Sequence, residues 1–341
     1  MNKIAIKKIP KKILVIKPSS LGDIIHSLPF LSAINETFPR AEVHWVISKG
    51  LEYVLEDHPM VKKLVVINKD QWKNIRKVKD TISEAKALSR DLRSESYDIV
   101  IDLQGLLRSG LIAKATRSSL RIGFKEAREG GNLFYTHKIK GGREIHAVDR
   151  YMKIAGAIGC DIEEVRFPMP LIKESDNVSR LKRETGKYAV IIPGARWSTK
   201  RWPPERFGKI AAMLRTKTII LGGPPDFEIS KLIEKESGGK AISMAGKTDL
   251  KELISIIRNA SYMISNDSGP IHIAAAFKIP VVAIFGPTNP LRTGPYGSGH
   301  EMVRPNIHCS PCYKKNCRDL KCMTDITVER VLEAVRALGA D

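Results

Sequence analysis

The chain has 341 residues, a length that fits two domains of ordinary size better than one. Hydrophobic residues make up 43% and charged residues 28%, a composition that excludes a disordered chain and indicates a soluble globular protein. Lysine and arginine exceed aspartate and glutamate by 57 to 37, so the net charge is +20. This charge favours nucleic acid, an anionic membrane leaflet or an acidic phosphorylated glycolipid as partner, although solubility alone also accounts for it.

No run of 18 apolar residues is present, so the sequence predicts no transmembrane helix. The basic segment 1–12 lacks the apolar run of a signal peptide, and we therefore expect a cytoplasmic protein. In that compartment a disulfide framework built from the five cysteines is disfavoured.

Short apolar runs alternate with amphipathic stretches along the first half of the chain. The runs predict strands at 12–17, 43–47, 64–67 and 97–103, and a helical period predicts helices at 24–37 and 74–94. Continuous runs of Val, Ile and Leu, rather than strict alternation, indicate a parallel sheet covered on both faces.

The second half restarts the same pattern. Strands are predicted at 188–192, 218–221, 262–265 and 281–285, and helices at 204–214, 226–235, 250–259, 269–277 and 327–338. An irregular stretch near 160–175 marks the boundary. We expect an α/β fold of two Rossmann-like, doubly wound domains (11–165 and 175–325) with a cleft between them. A C-terminal helix within 326–341 is expected to pack back on the N-terminal domain.

Ligands of such sheets bind where strands end, and the first strand runs into the segment 17–26. Gly22 can adopt backbone conformations closed to other residues, and Ser19, Ser20 and Asp23 suit the N-cap of a helix. A carboxylate here can also accept the proton of an attacking hydroxyl, so Asp23 is either a cap or a general base. The pattern G-x-G-x-x-G is absent, which excludes the dinucleotide fingerprint.

The strand that ends near residue 103 leads into a junction of the same form. An acceptor could be bound here by Asp102, Gln104 and Arg108. Capping of the following helix explains the presence of Asp102 equally well.

In the second half, the turn 192–203 carries three cations, Arg196, Lys200 and Arg201, between a strand and a helix. Lysine offers a compact charge and arginine a forked contact, which together suit a diphosphate; a solvated basic loop is the alternative.

The turn 265–272 has the same position in the pattern. Gly269 and Pro270 open a helix whose free N–H groups can hold phosphate oxygens. Asp267 either faces a sugar hydroxyl or caps the helix, and His272 alone is more typical of packing than of chemistry.

Two further patterns have weaker implications. Gly246-Lys247-Thr248 resembles the end of a P-loop, but position 241 is Ala where that motif requires Gly, so ATP hydrolysis is excluded. Cys309, Cys312, Cys317 and Cys322 place four thiols in fourteen residues; structural zinc, a redox-active pair and four unligated thiols are the alternatives, with a structural role favoured over catalysis.

Taken in order, these segments resemble the lipopolysaccharide heptosyltransferases of glycosyltransferase family 9, heptosyltransferase I most of all, from about residue 13 to residue 335. The resemblance rests on Pro18-Ser19-Ser20-Leu21-Gly22-Asp23 with His26 and Pro29, Tyr97-Asp98 through Gln104-Gly105, Ala127-Arg128-Glu129 with Leu133-Phe134-Tyr135, His146-Ala147-Val148-Asp149-Arg150, Lys200-Arg201-Trp202-Pro203, Asp267-Ser268-Gly269 with His272, and Phe285-Gly286-Pro287-Thr288.

The resemblance implies a GT-B fold and an inverting transfer, without an obligatory metal, of heptose from ADP-heptose to a Kdo-bearing lipid A. It implies an acceptor-binding first domain, a nucleotide-sugar-binding second domain, and peripheral contact with the cytoplasmic face of the inner membrane. Asp23 matches the family's general base and Lys200 its donor-phosphate lysine. The expected donor residues are Ala195, Arg196, Lys200, Glu228, Asp267, Ser268, Gly269 and His272. The expected acceptor residues are Ser19, Ser20, Gly22, Lys73, Asp102, Gln104 and Arg108.

Pro193-Gly194-Ala195 is more similar to heptosyltransferase II, so transfer to an already heptosylated core is the alternative within the family. A basic nucleic-acid-binding protein is the rival from another class, although no helix-turn-helix or aromatic platform supports it. A GT-B enzyme that epimerises or hydrolyses sugar nucleotides is the third interpretation.

Overall fold

The computed structural model describes residues 3–6, 8–68 and 78–340, of which 78–80 are described by their backbone alone. The chain divides into two units, Met1–Leu171 and Ile172–Asp341, called the first and second domains below. Within the described residues, no helix has the length and apolarity needed to cross a membrane.

The first domain is built on a parallel sheet in the order β3-β2-β1-β4-β5-β6. Its strands are β1 (Lys12–Ile16), β2 (Glu42–Ser48), β3 (Lys63–Ile67), β4 (Ile99–Asp102), β5 (Leu120–Phe124) and β6 (His137–Ile139). Its helices are α1 (Leu21–His26), α2 (Leu28–Thr37), α3 (Val78–Ser94), α4 (Leu107–Ala115) and α5 (Ala147–Ala157).

The strand order changes direction at β1 and β4, which are parallel neighbours at the centre of the sheet: β2 and β3 lie on one side, and β5 and β6 on the other. Ile16 pairs with Asp102 in register, and the Leu103 amide donates to the Ile16 carbonyl at 3.1 Å. The segments that follow β1 and β4 therefore leave the sheet side by side, at the point where doubly wound sheets bind their ligands.

The second domain repeats this plan in the order β12-β11-β10-β7-β8-β9, again all parallel. Its strands are β7 (Tyr188–Ile192), β8 (Lys217–Ile220), β9 (Ala241–Ser243), β10 (Tyr262–Asn266), β11 (Val281–Ile284) and β12 (His300–Val303). Its helices are α6 (Asp176–Thr185), α7 (Pro204–Met213), α8 (Phe227–Glu236), α9 (Leu250–Arg258), α10 (Pro270–Ala276), α11 (Pro290–Thr293), α12 (Lys321–Thr324) and α13 (Val328–Ala337). Here β7 and β10 meet at the reversal, with Ile192 opposite Ser265.

The C-terminal helix α13 packs within the second domain. Its buried face, Val331, Leu332 and Val335, belongs to the same apolar core as Trp202 and Phe207. The expectation that this helix also packs on the N-terminal domain stays a prediction.

One predicted helix, 24–37, is divided in two. The Ser27 hydroxyl donates to the Ile24 carbonyl at 2.7 Å, and Pro29 follows within the first turn of α2. Because proline has no N–H to give to a preceding turn, α1 ends at His26 and α2 begins anew at Leu28.

The Glu95 side chain links two strands of the first sheet through ion pairs, and these ion pairs lower its pKa. Its carboxylate accepts from Lys12 Nζ at 2.7 Å at the start of β1 and from Lys63 Nζ at 2.6 Å on β3. These two bonds lower the pKa of Glu95 from 4.5 to about 2. A lowered pKa means that the stabilisation is complete above the unfolded pKa and is lost as the pH falls from about 4.5 to about 2.

We expect Glu95→Gln to lower the free energy of unfolding of the first domain at pH 7 by about 1 kcal/mol, since both lysines are partly exposed and screened. Urea unfolding at pH 7 and at pH values stepped down towards 2 measures this, with the exposed Glu129→Gln as control. A difference from the wild type that stays constant with pH would contradict the assignment.

Candidate active site

Asp23 lies on the first turn of α1 and both of its carboxylate oxygens have partners. Oδ2 accepts from the Ser20 amide at 3.0 Å and from the Ser20 hydroxyl at 2.8 Å, an arrangement that begins the helix. Its side chain nevertheless remains 38% exposed. The cap therefore holds the carboxylate in place without removing it from the reach of a substrate.

The other oxygen of Asp23 faces a buried lysine and a tyrosine that sequence reasoning did not single out. Lys17 Nζ lies 3.6 Å from Oδ1, and the Tyr151 hydroxyl donates to the same oxygen at 3.4 Å. Burial alone would lower the pKa of Lys17, but Asp23, Tyr151 and Asp102 together outweigh it and raise the pKa above its usual value. The positive charge of Lys17 beside Oδ1 therefore favours the carboxylate form of Asp23.

Lys17→Met should shift the acidic limb of the kcat/KM pH profile upward by about one pH unit or more, because Asp23 without its ammonium neighbour is protonated more readily. Lys17→Arg should restore most of the wild-type profile. Lys12→Met, at the other end of β1, is the matched control and should leave the limb in place. A Lys17→Met enzyme with lower activity and an unshifted profile would show that Lys17 serves only packing.

Asp102 proves to be a structural residue. It is fully buried; Oδ1 accepts from the Gln104 and Gly105 amides at 2.8 and 3.0 Å, and Oδ2 from the Tyr135 hydroxyl at 2.6 Å. Burial raises the pKa of Asp102 although these hydrogen bonds oppose the rise. Its carboxylate is fully buried, so the structure gives no support to a direct contact between Asp102 and the acceptor, and that role stays a prediction.

Asp102 instead fixes the loop after β4, and this loop reaches the loop before α1. The Gln104 side-chain oxygen accepts from the Ser19 amide at 3.3 Å. The close approach of Tyr135 depends on Gly123, where a Cβ would lie only 2.4 Å from the tyrosine ring. Tyr135, Asp102, Gln104 and Ser19 thus form a continuous support for the segment that carries Asp23.

The remaining predicted acceptor residues differ in accessibility. Ser20 is exposed, Ser19 and Arg108 are half-buried, and Gly22 is buried. Lys73 lies outside the described residues.

In the second domain, the partly buried Lys200 forms an ion pair with the buried Asp267. Lys200 Nζ lies 2.6 Å from Asp267 Oδ2, and the Thr288 hydroxyl donates to the same oxygen at 2.5 Å. The Lys200 ammonium also lies 4.7 Å from the centre of the Trp197 ring. Asp267 therefore positions the predicted phosphate lysine and joins it to the loop after β11.

A second ammonium comes from the cysteine-containing segment 309–322. Lys315 Nζ lies 5.5 Å from the same Trp197 ring, and the Thr199 hydroxyl donates to the Lys314 carbonyl at 2.8 Å. The amides of Cys312 and Tyr313 both donate to the Pro287 carbonyl. The segment thus supports both the Lys200 turn and the Thr288 loop.

A cavity of about 310 Å³ opens beside this network. Its wall includes the predicted donor residues Ala195, Arg196 and Ser268, together with Arg201 and Asp226. Arg201 Nε donates to the Ala195 carbonyl at 2.9 Å, which steadies the turn between β7 and α7. Glu228, Lys200, Asp267, Gly269 and His272 are not part of this wall.

The carboxylate in the cavity wall is Asp226 rather than Glu228. Asp226 accepts from the Gly223 amide at 3.1 Å and lies so close to Gly194 that a Cβ there would be 2.5 Å from it. The Glu228 side chain is 83% exposed and faces Lys231 at 3.9 Å. Nucleotide binding by Glu228 stays a prediction, and Asp226 is the better-placed carboxylate for a ligand in this cavity.

The two carboxylates offer a matched test. We expect Asp226→Asn to raise the KM for the nucleotide sugar about tenfold, because a carboxylate accepts a ligand hydrogen bond more strongly than an amide. Glu228→Gln should change the KM less than twofold. Isothermal titration with the nucleoside diphosphate measures the same difference in binding alone, and equal effects of both variants would refute the assignment.

Residues around Asp267 complete the turn. The buried Asn266 side chain accepts from the Trp202 amide at 3.1 Å and donates to the Pro193 carbonyl at 2.7 Å. Gly269 is the N-cap residue before α10, and His272 is buried within the helix and donates its amide to the Gly269 carbonyl. Asn266 therefore joins the turn 265–272 to the turn 192–203.

The four C-terminal cysteines are free thiols, of which Cys322 is buried. Burial, with the neighbouring Cys312, Cys309 and Cys317, raises the pKa of Cys322 to about 11. Among residues 3–6, 8–68 and 78–340, no three His, Cys, Asp or Glu side chains converge as a metal site. Structural zinc at these cysteines stays a prediction.

The sequence matches the family model "Glycosyltransferase family 9 (heptosyltransferase)" over residues 85–323. The chain belongs to glycosyltransferase family 9. Membership decides for an enzyme over the nucleic-acid-binding interpretation.

Similar proteins agree with this family 9 assignment. Lipopolysaccharide heptosyltransferase 1 of Escherichia coli K12 is 26% identical over 86% of the chain and 93% of its own length. Lipooligosaccharide heptosyltransferase 2 of Campylobacter jejuni (serotype O:6) is 28% identical over 96% and 99%. The structure of E. coli heptosyltransferase WaaC with ADP superposes with a TM-score of 0.78, covering 96% of this chain and 99% of that one at 22% identity. The family 9 enzyme thus has the GT-B fold.

Proposed function

We propose that this family 9 enzyme transfers heptose from ADP-heptose to a Kdo-bearing lipid A with inversion at the anomeric carbon. The observation that carries the proposal is the Asp23 carboxylate, held by Ser20 and Lys17 yet partly exposed at the end of β1. The family match and the names of the similar heptosyltransferases support the donor and the reaction class.

The first domain is assigned the acceptor. Asp23 takes the proton from an acceptor hydroxyl as that oxygen forms the bond to the anomeric carbon. The Lys17 ammonium favours the carboxylate form of Asp23 before the reaction, and the loop held by Asp102 and Gln104 supports the segment that carries it.

The second domain is assigned the donor. As the bond between the anomeric carbon and the diphosphate oxygen breaks, negative charge grows on the departing ADP. Lys200, Arg196 and Arg201 are the cations beside the cavity and its turn, and Asp226 is placed to accept from a hydroxyl of the nucleotide. No step calls for a metal ion, because these side chains supply the positive charge.

Transfer of the first heptose is the preferred form of the proposal, and transfer to an already heptosylated core is the alternative. Incubation of the purified enzyme with ADP-heptose and either Kdo-lipid A or its heptosylated product distinguishes them by mass spectrometry. The first acceptor alone should gain a heptose. Turnover of ADP-heptose without any acceptor would favour hydrolysis or epimerisation instead.

Because the proposed acceptor is a lipid, we propose that the enzyme acts at the cytoplasmic face of the inner membrane. The net charge of +20 supports attraction to an anionic leaflet.

A further inference from the structure

Three leucines of the first domain are exposed on two adjoining elements, and we call them the leucine patch. Leu107 and Leu111 lie four residues apart on α4, which places them on one face of the helix. Leu133 lies in the short turn Gly131–Phe134. Leu133 is 75% exposed and the other two are more than 40% exposed, so water contacts an apolar surface that spans two elements.

Two glycines bring these elements into direct contact. A Cβ on Gly110 would lie 2.7 Å from the Gly131 carbonyl oxygen and 2.7 Å from the Phe134 ring. A Cβ on Gly131 would lie 2.7 Å from the Leu106 carbonyl oxygen. The backbone of α4 therefore packs directly against the backbone of the turn Gly131–Phe134, and the two elements present their leucines on one surface.

The chain segment that carries the leucine patch is strongly basic. Segment 107–140 contains eight Lys and Arg and two Glu, a net charge of +6 from eight minus two. One glutamate, Glu126, accepts from the amides of Gly141 and Gly142 and is thus engaged within the domain. The Lys114 ammonium lies 5.5 Å from the centre of the Phe134 ring, and Lys125 is exposed.

We propose that the leucine patch docks this enzyme on an anionic bilayer surface. Exposed leucines can enter the boundary between headgroups and acyl chains, while lysines beside them attract anionic headgroups. The excess of positive charge favours a lipid surface over a hydrophobic protein partner, because an apolar protein face would leave these cations without counter-charges.

The patch is also linked to the loops that support Asp23. Leu107 begins α4 directly after the loop that carries Gln104, and the Arg128 amide donates to the Gly105 carbonyl at 2.8 Å. Docking there brings the acceptor-side loops to the surface in which a lipid-linked acceptor is anchored. Only this last link rests on the proposed function; the affinity for vesicles does not.

The test is co-sedimentation with vesicles of phosphatidylcholine alone or with 30% phosphatidylglycerol. The wild type should bind the anionic vesicles and release them at high salt. Leu111→Ser/Leu133→Ser should weaken partitioning about tenfold or more. Lys114→Glu/Lys125→Glu should weaken it by a similar factor at low salt. The control Leu291→Ser changes a leucine that is 69% exposed in the second domain and should bind as the wild type does.

Transfer to a water-soluble acceptor without acyl chains should stay within twofold of the wild type in the leucine variant. Absence of wild-type binding, equal binding by the patch variants, or equal loss in the control would overturn the proposal. A change from dimer to monomer in the leucine variant without loss of vesicle binding would make the patch a contact between copies. Failure of heptose transfer with vesicle binding as expected would refute the proposed function alone.

Discussion

Replacing Asp23 by asparagine should lower kcat by roughly 100- to 10,000-fold, because an amide cannot take the proton of the acceptor hydroxyl. Asparagine keeps an oxygen that can accept from Ser20, so α1 should remain intact. Steady-state assays with purified ADP-heptose and acceptor measure the loss, and circular dichroism checks the fold. The KM for the donor should change little.

Ser20→Ala is the matched control for Asp23→Asn. It removes the hydroxyl that holds Asp23 Oδ2 at 2.8 Å but leaves the base itself. The expected loss in kcat is about tenfold, smaller than that of Asp23→Asn, since the Ser20 amide still donates to the carboxylate. Near-normal turnover of Asp23→Asn would disprove the assignment of the base.

Removal of the Lys200 ammonium should lower kcat by about 100-fold or more, because its charge stabilises the departing diphosphate in the transition state. Lys200→Met alone would leave Asp267 buried without its cation, at a cost in stability. The double variant Lys200→Met/Asp267→Asn avoids that cost and is the better measure of catalysis. Asp267→Asn by itself keeps the ammonium and is the control.

The division of the effect between kcat and KM is informative. A loss in kcat shows stabilisation of the transition state, whereas a rise in the donor KM alone shows equal binding of ground state and transition state. If the double variant keeps both constants of the wild type, Lys200 has no part in donor binding and the second half of the mechanism fails.

The strands at the centres of both sheets could be predicted because they are continuous runs of Val, Ile and Leu. Four of the described strands were not predicted. β6, β9 and β12 are edge strands of three or four residues with little apolar pattern, and Arg121 and Gly123 interrupt the apolar run of β5. The helix α4 also escaped prediction, since glycine and serine interrupt its apolar face.

At the candidate site, the motif that contains Asp23 and the turn that contains Lys200 were visible because each directly follows a predicted strand. Tyr151 could not be found in this way, because it lies 128 residues from Asp23 and reaches it only through the tertiary fold. Asp226 was missed for a similar reason: its place against Gly194 depends on how β8 and β7 pair. Lys17 carried a signal that could have been used, namely a lysine that directly follows the apolar run of β1.

The hydrogen bond between Ser20 and Asp23 connects residues only three positions apart, within one turn of α1. It therefore forms with the helix itself and selects one side-chain rotamer before any sugar is present. The entropy of aligning the carboxylate is lost during folding and not in each catalytic cycle. An acceptor thus meets a base that is already oriented.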